Sequence, residues 1–115
     1  MSTNDNKTRE GEASKEQLAD WRKKHRAVYE INVDSDDKTL VGYIKRPDRY
    51  VKDEVFGLAN DNRVIAAGEV ILRNCWLGGA EVLADASDEY NDLFDAACLA
   101  SFEAISIPDA SAKKL

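Results

Sequence analysis

Three consecutive stretches decide the fold class: Val28-Tyr29-Glu30-Ile31-Asn32-Val33, then Asp34-Ser35-Asp36-Asp37-Lys38, then Thr39-Leu40-Val41-Gly42-Tyr43-Ile44-Lys45. In the first, Val28, Glu30 and Asn32 alternate with Tyr29, Ile31 and Val33. In the third, Thr39, Val41, Tyr43 and Lys45 alternate with Leu40, Gly42 and Ile44. A period of two marks strands, and the short polar side chains between them bond their own backbone, so the segment reads as an antiparallel hairpin. The acidic turn does not make a calcium loop. Counted from Asp34, the fifth, sixth and twelfth positions of an EF-hand need an oxygen ligand, Gly and Glu, and they hold Lys38, Thr39 and Lys45.

On the N-terminal side of the hairpin, Ser14 and Gln17 have capping-box spacing, and Leu18, Trp21 and His25 follow at helical intervals. A first helix is therefore expected up to about Arg26. Its closing run Arg22-Lys23-Lys24-His25-Arg26 lies where the helix dipole stabilises positive charge, so it reads as a solvated helix end. Residues 1–13 have no periodic apolar positions and are expected to form a disordered tail.

On the C-terminal side, Pro47 ends the strand and Asp48 caps a helix carrying Val51, Val55 and Leu58, interrupted at Asn60-Asp61-Asn62. Val64, Ile65, Gly68, Ile71, Leu72, Cys75 and Trp76 then form one apolar stripe, and Leu77-Gly78-Gly79 is expected to stop that helix. After a loop from Glu81 to Ala86, Asp85 or Ser87 is expected to cap a last helix lined by Tyr90, Leu93, Phe94, Ala97, Ala100, Ala104 and Ile105, with Pro108 ending it. The expected architecture is α+β: a two-stranded antiparallel β-hairpin packed against about four α-helices. Its single domain spans 14–107, between a disordered N-terminal tail (1–13) and a frayed C-terminal tail (108–115).

The chain has 115 residues, 43% hydrophobic and 33% charged, with a net charge of −6. That suits one core and rules out a wholly disordered chain. No apolar run reaches the roughly 18 residues of a spanning helix or forms a signal peptide, so a cytoplasmic location is expected. Residues 1–26 hold seven Lys/Arg against five Asp/Glu, so the rest of the chain is strongly acidic. No Lys or Arg occurs between Arg73 and Lys113, while eight Asp/Glu do. This is the opposite of a nucleic-acid footprint.

Catalytic and metal-binding patterns are missing. His25 is the sole histidine and sits among cations, which suits neither a Ser/His/Asp nor a Cys/His relay. Cys75 and Cys98 lack CxxC spacing and read as buried free thiols, not zinc ligands. Gly78-Gly79 has no phosphate-loop context. Acid pairs such as Asp36/Asp37 and Asp88/Glu89 read as solvated. The expectation is a binding protein without catalytic residues, metal or cofactor. Trp21 and Trp76 are candidates for a core anchor and a partner contact, and Asp88, Glu89, Asp92 and Asp95 for steering a basic partner.

The order of elements, with Trp21-Arg22-Lys23-Lys24, Ile44-Lys45-Arg46-Pro47-Asp48-Arg49, Leu93-Phe94 and above all Leu72-Arg73-Asn74-Cys75-Trp76-Leu77-Gly78-Gly79, resembles the phage tail assembly chaperone-like family over about residues 15–115. Gly42 inside the second strand and the break from Phe56 to Asn62 depart from that pattern. The resemblance implies a protein of the host bacterial cytoplasm that binds the tape measure protein and/or the tail tube protein during tail assembly and is absent from the finished particle. The alternative is a structural or connector component of the tail. A lone hairpin is marginal, so helices or a second copy of the chain are expected to cover its edge.

Overall fold

The computed structural model describes residues 8–105 and 111–115. Among the described residues the elements are β1 (Thr8–Glu10), α1 (Lys15–Lys24), β2 (Val28–Ser35), β3 (Lys38–Lys45), α2 (Arg49–Asn60), α3 (Val64–Cys75), β4 (Trp76–Gly79) and α4 (Asn91–Ala104), with a 3-10 turn at Glu81–Ala84. The mixed α/β architecture with four α-helices matches the sequence reading, but the sheet has four strands instead of two.

The β2–β3 hairpin pairs in register from Val28↔Lys45 to Ser35↔Lys38, with Asp36 at φ 48° in its two-residue turn. The other edge of β3 is shared. β1 pairs in parallel along Lys38–Leu40, and β4 pairs antiparallel along Gly42–Ile44. The expected tail of 1–13 is thus a strand at Thr8–Glu10, and residues 1–7 lie outside the described residues. The expected helix stop at Leu77-Gly78-Gly79 is likewise part of a strand, and α3 ends at Cys75, one residue before the expected stripe position Trp76. β1 and β4 meet beside Val41, whose carbonyl accepts the Ala80 N–H at 2.8 Å. Gly11 (φ +96°) and Gly79 (φ +128°) flank this junction, and a Cβ on either would strike the Val41 carbonyl.

The two faces of the sheet have different roles. Ile31, Val33, Leu40 and Ile44 point into the main core, which α2, α3 and α4 close with Val55, Ala67, Ile71, Leu72, Cys75, Phe94, Ala97 and Cys98. On the opposite face Val41 and Tyr43 form a small second cluster with Trp21 of α1. The rest of that face is polar: Arg9 pairs with Glu30 at 3.2 Å, and the Thr39 hydroxyl donates to Asp34 at 2.9 Å.

Both anticipated caps on the hairpin-flanking helices form. Ser14 Oγ accepts the Gln17 N–H at 3.1 Å and Asp48 Oδ1 accepts the Val51 N–H at 3.0 Å. Asp48→Ala should therefore cost about 1 kcal/mol in a urea unfolding curve, while Asp48→Asn, which keeps the acceptor, should change it by no more than a few tenths. The last helix differs from expectation. Neither Asp85 nor Ser87 caps it; the Asp85 carboxylate accepts the Ser87 N–H at 2.9 Å in a turn of its own, and α4 begins only at Asn91. Pro108 falls outside the described residues, and 111–115 are exposed and without regular structure. No helix among the described residues is long and apolar enough to cross a membrane.

Candidate functional site

The two tryptophans bracket the β3–β4 pair from opposite sides. Trp21 is only 9% exposed. Its ring lies 5.4 Å from that of Tyr43 at 44°, and it covers Gly78, where a Cβ would come within 3.2 Å of the indole. Trp76 is half-buried on the other face and lies over Gly42, where a Cβ would be 2.7 Å from the ring. This explains the glycine inside β3: Trp76 and Leu83 occupy the space that a side chain at position 42 would need. Each indole fills the gap left by a glycine on a neighbouring strand. Trp21 is thereby largely withdrawn from any partner, and Trp76 leaves part of its surface free.

The acidic candidates lie at the start of α4. Asp88 and Glu89 are exposed in the turn before it, Asp92 is exposed in its first turn, and Asp95 is half-buried one turn on. The ion pairs of the described residues use Arg9, Lys24, Lys38 and Arg73 as cations and none of these four carboxylates. The charge of Glu89 and its hydrogen bond push the neighbouring Tyr90 phenol up, while the Ser87 N–H holds Asp85 below the usual carboxylate range.

His25 is half-buried at the C-terminal end of α1, its backbone N–H donating to the Trp21 carbonyl at 2.9 Å. Cys75 and Cys98 are buried free thiols. No group of three or more His, Cys, Asp or Glu among the described residues is placed to hold a metal. Burial raises both thiols, Cys98 to about 12. Two outcomes are expected. A disulfide reagent at pH 8 should label neither thiol at an appreciable rate until denaturant is added. Stability should also fall with rising pH. In the unfolded chain the thiol ionises near 9, whereas in the fold Cys98 keeps its proton to about 12, so over that window the unfolded state has lost more protons. Cys98 contributes a decline of up to about 1 kcal/mol per pH unit above pH 9, readable as falling urea midpoints between about pH 9 and 11.

A second surface was not anticipated from the sequence. Arg26, Arg46, Pro47, Asp48, Arg49 and Lys52 line an open cleft of about 420 Å³. Arg26 precedes β2 and Arg46 follows β3, and the Arg46 N–H donates to the Ala27 carbonyl at 3.0 Å, tying the two ends of the hairpin together. Arg49 and Lys52 come from the first turn of α2 and also border a neighbouring hollow of about 620 Å³ with Tyr50, Asp53 and Phe56. With Val28 opposite Lys45, the hairpin sets Arg46 opposite Ala27, next to Arg26 in the chain. No protein-family model, curated protein or solved structure matches the chain.

Proposed function

We propose that the protein is a non-catalytic polypeptide-binding protein of the phage tail assembly chaperone kind, holding a tape measure protein and/or a tail tube protein while the tail is built. The observation that supports this reading is the outer edge of β2. This strand is eight residues long and, among the described residues, pairs only with β3. An unpaired edge of that length is a template onto which an extended segment adds by main-chain hydrogen bonds. α4, which carries Asp92 and Asp95, packs directly against β2, so a basic segment is drawn to the same side of the molecule.

The test is co-expression with the tape measure and tail tube proteins encoded by the same genome. A complex should survive purification at low salt and weaken when Asp88 and Asp92 are both changed to Lys. Failure to associate with either tail protein overturns the reading. Recovery of the protein in purified particles would make it a tail component instead of a chaperone.

A further inference from the structure

The cleft at the hairpin base gathers four cations around one carboxylate in a chain that is acidic as a whole. No ion pair among the described residues involves Arg26, Arg46, Arg49 or Lys52; the same holds for Lys15, Arg22, Lys23, Lys45 and Arg63, so what sets the four apart is that they line one cleft. The single carboxylate lining the cleft is Asp48, and one of its oxygens accepts the Val51 N–H. The helix dipole adds to the imbalance. α1 ends in Arg22, Lys23 and Lys24, and α4 has Asp92 in its first turn, each charge at the favourable pole. α2 has its N-cap Asp48 as the acid at its positive end, but no acid in its first turn, and Arg49 and Lys52 lie there as well. Arg26 and Arg46 are brought beside them by the hairpin. Four cations against one carboxylate repel one another, and an anion seated between them removes that repulsion.

We infer that this cleft binds a small phosphorylated anion carrying a pyrophosphate unit. The three arginines supply planar forks that match phosphoryl oxygens two at a time, and Lys52 adds a point charge. The excess charge of three matches a polyphosphate better than a single carboxylate. The volume of about 420 Å³ lies within the range of small-ligand sites. Tyr50, 85% exposed, borders the adjoining hollow with Arg49 and Lys52, and its ring offers a stacking face to an aromatic group attached to the phosphates. This inference does not depend on the tail-assembly reading.

The experiment is calorimetric titration of the intact protein at low salt with inorganic pyrophosphate, adenosine triphosphate without metal, citrate, and a single-stranded oligonucleotide. Pyrophosphate should bind, citrate about tenfold more weakly or not at all, and 0.3 M NaCl should weaken binding sharply. Arg46→Ala and Arg49→Ala should each reduce pyrophosphate affinity by about tenfold, with the fold checked by circular dichroism. Asp48→Asn keeps the helix cap while removing the one negative charge, and should tighten binding severalfold, a gain that damaged folding cannot mimic. Tighter binding of adenosine triphosphate than of inorganic triphosphate, titrated alongside it, assigns the hollow beside Tyr50 to the attached ring, and equal binding confines the ligand to the cleft; both support the site. Absence of pyrophosphate binding at millimolar concentration overturns the inference. So does equal binding of citrate, insensitivity to Arg46→Ala and Arg49→Ala, or binding of the oligonucleotide alone.

Discussion

Gly68→Ala is expected to lower stability by about 3 kcal/mol, although in an exposed helix the same change raises it by about 1 kcal/mol. Gly68 lies where α3 crosses α4. A Cβ there would collide with the Cys98 carbonyl and come within 2.9 Å of the Cys98 Cα. These are backbone atoms of α4, so no side-chain rotation relieves the clash. The helices must move apart, loosening the packing of Ala67, Ile71, Phe94 and Ala97 in the main core. Gly57→Ala on α2 is the control: nothing lies within 4 Å of its added Cβ, so a gain of about 0.5–1 kcal/mol is expected. Urea unfolding of the two variants should give changes of opposite sign. Equal and small changes would show that α3 and α4 can separate without cost.

Trp21→Ala is expected to cost about 3 kcal/mol and to release α1 from the sheet before the remainder unfolds. Trp21 is the one buried residue of α1, a helix of ten mostly polar residues. A helix that short does not persist alone in water. With the indole gone, Tyr43 loses its ring partner and Gly78 its cover, and only the half-buried Leu18 remains as an apolar tie from α1 to the second cluster. Hydrogen exchange is the direct readout. Amides of residues 18–25 should lose most of their protection, while those of β3 and α3 should lose only the global share. Loss spread evenly over all elements would show instead that the second cluster is part of the main cooperative unit.

Elements stabilised by contacts close in the chain were legible. The hairpin follows from alternation on both sides of a polar turn, α2 and α3 from apolar spacing, and the caps at Ser14 and Asp48 from side chains that bond an N–H three residues on. β1 and β4 were not, because each is three or four residues long and gains its pairing from the same distant edge of β3. Read locally, Gly78-Gly79 is a helix stop. Only in the fold does the pair provide a strand thin enough for Trp21 to lie over Gly78 and for Gly79 to pass the Val41 carbonyl. The candidate residues divided in the same way. Asp88, Glu89 and Asp92 are exposed, whereas Trp21, for which the sequence left core anchor and partner contact open, is buried against Tyr43 and Gly78.

By itself, the sequence determined which segments are helical, where the hairpin turns, and that Cys75 and Cys98 lie on apolar helix faces, because these properties depend on spacing within a few residues. The tertiary structure alone decided that four strands share one sheet, that a glycine in β3 makes room for Trp76, and that Arg26, Arg46, Arg49 and Lys52 face one cleft. These outcomes depend on distances between segments remote in the chain. Such distances are set only when the packed core brings those segments together.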